Sequence, residues 1–116
     1  RRDCFVISSS YGAALSGIQA ASARLSASAN NIANSDTPGY QRQQVTTTSG
    51  VYGVEVTVER IDSLVQPDGQ KTGESSDISL ASELIDMKLA QVLYDANVNT
   101  LRVEENALGR ILNLQV

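Results

Sequence analysis

The stretch of sequence that decides the fold is NNIANSDTPGY, from Asn30 to Tyr40, because one pattern ends there and another begins. Asparagine is a poor helix-interior residue that tolerates left-handed backbone and satisfies free backbone groups with its short side chain. Pro38 presets φ and Gly39 supplies a positive φ, which together predict a type II turn from Thr37 to Tyr40. The stretch therefore predicts a helix end followed by a fixed corner.

The segment before the corner has the spacing of a helix that packs closely on one face. From Tyr11 to Asn34, large apolar residues recur every seven positions and small residues flank them. Arg24 is the only charged residue in this segment, whereas an isolated surface helix normally has a charged outer face. We expect protein to surround this helix on most sides and its large residues to form mainly intramolecular core. These residues are Tyr11, Ile18, Leu25 and Ile32.

A second helical pattern begins near Asp77, with Ser76, Asp77 and Ser79 as candidate N-caps, and continues to about Leu114. Its gaps alternate between four and three residues, which is the a/d pattern of a coiled coil. Gln91 and Glu105 interrupt the stripe, where they either fix register and partner number or turn toward solvent. The apolar members of the stripe are Leu80, Leu84, Met87, Tyr94, Val98, Leu101, Leu108 and Leu112.

The connection between the helices follows a different pattern. Valines alternate with polar residues from Val54 to Val58, which predicts a half-buried strand, and Gln41 to Thr48 is also prone to form a strand. We therefore predict a β-hairpin over residues 41–60. Residues 66–77 are polar and contain Pro-Asp-Gly, which is typical of an exposed flexible loop.

These patterns together predict a mainly α protein. Long N- and C-terminal helices form an antiparallel coiled coil, with a short β-hairpin and a flexible loop between them. Residues 1–34 hold the first helix of this coiled-coil domain and residues 77–116 hold the second. Residues 35–76 hold the corner, the hairpin and the loop, and act as the connector.

Composition excludes several classes of function. The sequence has no histidine, which excludes Ser-His-Asp triads, Cys-His dyads and histidine-ligated metals. A single cysteine, Cys4, cannot form a zinc cage or an intrachain disulfide. The chain has 13 acidic and 9 basic residues, and no basic cluster is present to neutralise a row of phosphates. We predict no enzyme activity, catalytic residue, cofactor, metal, small-molecule substrate or nucleic-acid partner.

The apolar runs of the sequence are too short for a secretory signal peptide or a membrane-spanning segment. The short apolar patch from Phe5 to Ile7 is shorter than the core of a secretory signal peptide. No later apolar run reaches the length needed to span a bilayer. We expect neither a cleavable signal peptide nor a membrane span.

Residues 16–45, SGIQAASARLSASANNIANSDTPGYQRQQV, resemble the N-terminal signature of the bacterial flagellar rod, hook and hook-associated protein family. That signature is a small-residue-rich helix followed by A-N-N-[IL]-A-N-x-x-T-P-G-[FY]. Residues 82–116 are similar to the terminal helix of the same family, with Tyr94, Ala96 and Asn97 at its aromatic-x-Ala-Asn step. The matching motif positions are Ala29, Asn30, Asn31, Ile32, Ala33, Asn34, Thr37, Pro38, Gly39 and Tyr40.

The resemblance implies a structural subunit of the flagellar axial structure. Its short middle points to the basal-body rod, in which subunits polymerise into a hollow helical shaft that transmits torque and encloses the export channel. The implied partners are copies of this chain, other rod or hook proteins, and the flagellar type III export apparatus, which exports subunits without a cleavable signal. The alternative is a soluble helical binding module, such as a flagellar export chaperone or adaptor.

The three asparagines of the motif have two possible roles. Capping of the helix end accounts for one or two of Asn30, Asn31 and Asn34. Because three of them precede a fixed turn, we also expect a contact role at this corner.

Overall fold

The computed structural model describes residues 2–61 and 79–114 of the chain, and it is mainly helical with one short antiparallel hairpin. This confirms the mainly α class and the order of elements that the sequence predicts. The predicted loop at residues 66–77 lies outside the described residues. The elements are α1 (Arg2–Ala33), β1 (Arg42–Gly50), β2 (Gly53–Ile61) and α2 (Leu80–Leu114).

Helix α1 is longer than the heptad pattern predicted. It begins at Arg2, within the range 1–34 assigned to the first helix and before the heptad stripe starts at Tyr11, and no Gly or Pro precedes Gly12 in the sequence to stop a helix from starting early. Its C-terminal end agrees with the prediction, since the last helical residue is Ala33. The helix therefore ends inside the asparagine-rich stretch.

Helix α2 begins at a capping serine. The backbone carbonyl of Ser79 accepts a hydrogen bond from the Glu83 N–H at 3.0 Å, and its Oγ accepts one from the Ser82 N–H at 3.5 Å. Ser79 is therefore the N-cap, whereas the alternative caps Ser76 and Asp77 lie outside the described residues. The helix continues to Leu114, where the sequence pattern placed its end.

The two helices lie side by side and run in opposite directions. Gly17 in the middle of α1 lies against Asn97 in α2, and Asn31 near the end of α1 contacts Glu83 in the first turn of α2. The buried apolar residues of the helix pair are all small, because a close approach of two backbones leaves no room for large side chains. They are Ala14, Ala20, Ala21, Ala27 and Ala90.

Part of the predicted seam is more exposed than expected, whereas other members are half-buried; the half-buried ones are Ile18, Ile32, Met87, Val98 and Leu101. Tyr11 and Leu25 are 44% and 40% exposed, and Leu84 and Leu112 are 59% and 67% exposed. The expectation that the large α1 residues form mainly intramolecular core therefore fails for Tyr11 and Leu25. The physical reason is that the small-residue flank of each heptad stripe allows a closer approach between the helices. As a result, the exposed large residues of the stripes lie at the side of the helix pair rather than between the helices.

The hairpin confirms the prediction over residues 41–60 and lies along α1. Its strands pair antiparallel from Arg42 opposite Ile61 to Gly50 opposite Gly53. The tip, Val51 and Tyr52, is 89% and 85% exposed. The alternation of valines and polar residues in β2 corresponds only weakly to alternating burial. The reason is that α1 covers only part of one face of this two-stranded sheet.

Two side chains of α1 hold the hairpin. The Arg24 guanidinium donates to the Thr47 hydroxyl at 3.1 Å, and the Val54 N–H donates to Ser16 Oγ at 3.0 Å. Arg24 is the single charged residue in the α1 segment from Tyr11 to Asn34. Its guanidinium therefore forms a hydrogen bond within the chain. Neither helix, over the ranges given above, is long and apolar enough to cross a membrane.

Candidate functional site

The candidate site is the junction at which the end of α1, the corner, the start of β1 and the start of α2 meet. Asn31 lies at its centre and is 1% exposed. The Asn31 side-chain amide donates to the Gln43 carbonyl at 2.8 Å and to Glu83 Oε1 at 3.2 Å. Its Oδ1 accepts from the Gln43 N–H at 2.8 Å and from the Tyr40 hydroxyl at 3.2 Å. Asn31 therefore joins three elements and the corner through four hydrogen bonds.

The pairing between Asn31 and Gln43 resembles the pairing of two β-strands. One side-chain amide satisfies both the N–H and the C=O of the same strand residue. Because buried backbone groups are costly when they are left unpaired, this contact fixes where β1 leaves the corner. Only an amide side chain offers a donor and an acceptor in this geometry.

A buried carboxylate ties α2 to the same junction. Glu83 is 1% exposed, and its Oε1 accepts from Arg42 Nε at 2.6 Å as well as from Asn31. Arg42 also reaches Asp86 Oδ2 at 3.7 Å. A buried charge is tolerated when it is paired and hydrogen-bonded. The Arg42–Glu83 pair therefore acts as a latch between the hairpin and α2.

The corner itself has the predicted geometry. Gly39 has φ of 75°, and the Tyr40 N–H donates to the Thr37 carbonyl at 3.2 Å, which confirms the turn from Thr37 to Tyr40. Asn34 caps the helix end by donating from its N–H and its side-chain amide to the Asn30 carbonyl, at 3.1 and 2.9 Å. The corner is thus a rigid connection rather than a loose loop.

The motif residues divide into two groups at this corner. Asn31 is buried and Tyr40 is partly buried, and both make contacts inside the chain. Most of the others are exposed, so the chain itself does not use their side chains for packing. The exposed members are Ala29, Asn30, Ala33, Thr37, Pro38 and Gly39, and the partly buried ones are Ile32 and Asn34.

Two glycines permit close approaches that position the rest of the molecule. A Cβ on Gly17 would lie 2.5 Å from Asn97 Oδ1, so the absence of a side chain at Gly17 seats α2 against α1. Gly53 has φ of 137°, and a Cβ there would overlap Ser16, which holds the neighbouring Val54 N–H. Gly17 fixes the helix pair and Gly53 fixes the hairpin on it.

The side of the helix pair away from the hairpin is an open apolar groove. Leu25 and Tyr94 form its walls, and Ala21, Ala29 and Ala90 are also among its lining residues. No hairpin residue of the described part of the chain is among its lining residues. Several residues that the sequence assigned to the coiled-coil seam are exposed on this single chain. Tyr11, Leu25, Leu84 and Tyr94 are each 40% or more exposed.

Sequence reasoning missed several residues of the junction. No sequence pattern marked Glu83 or Arg42, because the contact between them depends on the hairpin folding back along α1. Gly17, Ser16 and Gly53 also carried no sequence signal beyond small size. The signal that was available is the polar residue following the motif, since Gln43 stands where the family pattern has polar and basic residues.

The polar side chains of the junction are paired with one another. Among residues 2–61 and 79–114, no group of three or more His, Cys, Asp or Glu side chains is arranged to hold a metal ion. The polar groups of the junction are engaged with one another, which suits a structural joint.

Comparison with known proteins agrees with this character. Residues 13–41 match the family model described as Flagella basal body rod protein, a span that runs from within α1 through the corner. No curated protein matches the chain. The match confirms the family resemblance of the motif and supports a general structural role in the flagellar basal body, alongside other axial proteins of the flagellum.

Proposed function

From the premise that residues 13–41 carry the signature of the flagellar basal body rod family, we propose that this chain is a structural subunit of the rod. In this role it polymerises with copies of itself and with other rod or hook proteins. The product is a hollow helical shaft that transmits torque and encloses the export channel. The family match is the observation that carries this proposal.

We further propose that α1 and α2 work as an antiparallel coiled coil whose outer faces are buried by neighbouring subunits. Residues 1–34 and 77–116 then form the axial core, and residues 35–76 form its connector. The exposure of Leu25, Leu84 and Tyr94 supports this division, because large apolar stripes left open on a single chain mark contact surfaces. An interface that is heterologous and does not close generates a filament.

The corner has a proposed role in the same assembly. Its rigid turn presents Thr37, Pro38 and Gly39 at the surface, and we propose that this surface contacts an adjacent subunit. A double variant, Pro38→Ala with Gly39→Ala, is expected to impair assembly more than it lowers helix content, because the change loosens only the turn. Light scattering and circular dichroism measure the two effects. An equal loss of both, or no loss of assembly, contradicts a contact role for the corner.

Export is the remaining part of the proposal. A rod subunit reaches the periplasm through the flagellar type III apparatus and needs no cleavable signal peptide for that route. The family resemblance supports this route. Loss of secretion in a strain lacking the export apparatus, with unchanged synthesis of the chain, is the expected result.

The decisive experiment follows helicity and mass together. Far-UV circular dichroism and static light scattering are recorded on the purified chain across a wide range of concentrations. A structural subunit is expected to gain helicity as its mass grows without limit, because neighbours bury the open apolar faces. A fully helical monomer or closed dimer that never grows favours the export chaperone or adaptor and contradicts the proposal.

A further inference from the structure

The hydrogen bonds of the hairpin show which of its backbone groups point away from the ladder. In an antiparallel pair, alternate residues direct both N–H and C=O toward the other strand, and the residues between them direct both groups outward. Gln43 is an outward residue of β1, because both of its groups bond to Asn31. Val54 has the same phase on β2, where its N–H donates to Ser16. The next outward residues of β2 are Val56, Val58 and Arg60.

The chain itself covers the outer edge of β1. The Asn31 side chain takes the place of a neighbouring strand at Gln43. A cleft beside the following residues is lined by Val45 from β1 and by Asp86 and Leu89 from α2, so α2 lies along this edge. A strand from outside cannot pair with β1 unless it displaces these contacts.

The outer edge of β2 is open beyond Val54. Within residues 2–61 and 79–114, no hydrogen bond reaches the outward N–H and C=O groups of Val56, Val58 or Arg60. The strand has 9 residues and contains no proline, lysine or bulge, which are common protections of an exposed edge. A row of free backbone donors and acceptors is matched by another backbone in an extended conformation.

The side chains of β2 define the chemistry of a strand that would lie beside it. On the face that α1 partly covers, Val54 and Val58 are 37% and 54% exposed, and Arg60 ends this row. On the opposite face, Glu55 and Glu59 are exposed, and the β1 residues paired with them are uncharged. Neither glutamate forms an ion pair within the described part of the chain. A neighbouring strand therefore gains from apolar residues on one face and from Lys or Arg on the other.

We propose that the outer edge of β2 binds an extended, antiparallel peptide segment of another protein whose residues alternate between apolar and basic. Backbone hydrogen bonds to Val56, Val58 and Arg60 supply affinity, and Glu55 and Glu59 select the basic residues. Antiparallel pairing is slightly more stable per residue than parallel pairing. This site goes beyond the proposed function, because it belongs to the single chain and does not depend on open-ended assembly.

A second copy of this chain fits the same edge less well. Pairing β2 with β2 of another copy places Glu55 and Glu59 opposite or diagonal to the same two residues of that copy. Like charges across a strand pair are destabilising. The other strand of a second copy, β1, has its own outer edge already covered.

The first test measures binding of synthetic peptides to the full wild-type chain. Each fluorescent peptide alternates lysine and valine, and all have the same charge. One is unmodified, one carries backbone N-methyl groups on its valines, and one carries them on its lysines. In the proposed pairing the valines share the face of Val56 and Val58, so their N–H groups point to β2 and those of the lysines point away. Fluorescence anisotropy is expected to show about tenfold or more weaker binding for the valine-methylated peptide than for the lysine-methylated one.

The second test changes the edge of β2. Val58→Pro removes one outward N–H that the ladder with β1 does not use, whereas the matched control Val58→Ala shortens the side chain and keeps that N–H. We expect the unmodified peptide to bind several-fold more weakly to the proline variant than to the alanine variant, with unchanged far-UV circular dichroism. Glu55→Gln combined with Glu59→Gln is also expected to weaken binding, because it removes the two charges that attract lysine.

The other outcomes overturn this proposal. Equal binding of the two methylated peptides marks attraction by charge alone, and loss with the lysine-methylated peptide alone marks a parallel strand. Absence of binding by the unmodified peptide overturns it directly. A dimer that forms without peptide and that Val58→Pro abolishes assigns the edge to a second copy instead. None of these results changes whether the chain grows into an open-ended assembly by light scattering, so failure here is distinguishable from failure of the proposed function.

Discussion

At the scale of single residues, one asparagine and two glycines determine how the pieces of this molecule meet. Asn31 satisfies its whole amide inside the chain, and Gly17 and Gly53 make room for Asn97 and Ser16. Each is specific to its residue type, because the first needs a donor and an acceptor and the others need the absence of a Cβ.

Substitution of Asn31 by Ala is expected to destabilise the junction strongly. The change removes four hydrogen bonds and leaves the Gln43 backbone groups without their partner in a buried site. Buried groups left unpaired cost about 1 to 3 kcal/mol each. Urea unfolding followed by circular dichroism measures the loss under conditions in which the wild-type chain is helical. Asn30→Ala is the matched control at the neighbouring exposed position, and a loss of similar size there contradicts a special role for Asn31.

Two glycine substitutions are expected to have opposite signs. Gly53→Ala places a methyl group against Ser16 at a φ of 137°, so the hairpin must move away from α1. Gly109→Ala adds its methyl group in open space on α2 and is expected to stabilise the helix by about 1 kcal/mol. Thermal melting compares the two, and amide NMR shifts around Val54 report on the hairpin. A neutral Gly53→Ala variant with unchanged shifts would show that the close approach is not required.

At the scale of elements, the hairpin is fastened to both helices by different means. It lies along α1 through hydrogen bonds at Ser16 and Arg24, whereas it meets α2 through the Arg42–Glu83 latch. The latch is asymmetric, since the Glu83 side chain is 1% exposed and that of Arg42 is 29% exposed. Loss of Arg42 alone, which leaves the buried Glu83 carboxylate without its cation, is therefore expected to be more harmful than loss of both partners.

Removal of Arg42 alone tests this asymmetry. Arg42→Met leaves a buried carboxylate without its cation, which typically costs about 3 to 5 kcal/mol. The double variant with Glu83→Leu removes that charge and is expected to recover much of the loss. A double-mutant cycle from urea unfolding gives the coupling energy. Additive effects of the two substitutions would show that the pair is not coupled.

At the scale of the whole molecule, many of the large apolar residues are exposed, whereas the buried apolar residues among the described side chains are all alanines. The chain measures 70 × 24 × 14 Å, a slender shape that buries little of its own apolar surface. Compact domains of this length enclose a core of large residues. Under the proposed function, neighbouring subunits cover the exposed large residues of this chain.

Association driven by these faces is expected to resist salt. Asp95 is the one charged residue among the described lining residues of the groove, and screening between about 0.01 and 1 M ionic strength, where the Debye length falls from about 30 to 3 Å, weakens only charge pairs. Light scattering at fixed concentration across this range is expected to show no loss of assembly. Dissociation at high salt would mean that charged rather than apolar contacts hold the subunits.

Much of this fold follows from local sequence patterns, and the remainder depends on how the pieces meet. Heptad spacing predicted both helices, and the alternation of valines with polar residues predicted the hairpin. Both patterns depend on residues that are close in sequence. The heptad stripe alone does not mark the start of α1, since the helix begins at Arg2 and the stripe begins at Tyr11. The orientation of the stripes was also not predictable. It depends on how closely Gly17 and its small neighbours let α2 approach.

Small residues between two helices leave an ambiguity that bulky ones do not. Ala, Gly and Ser are nearly interchangeable as surfaces, so sliding one helix along the other by a full heptad costs little within the alanine contacts themselves. One direction of sliding brings Arg24 to the place of Gly17 against Asn97, where its side chain does not fit. The other direction withdraws Glu83 from Asn31. A steric contact at Gly17 and a hydrogen bond at Glu83 thus set the alignment of two helices whose alanine contacts would accept several alignments.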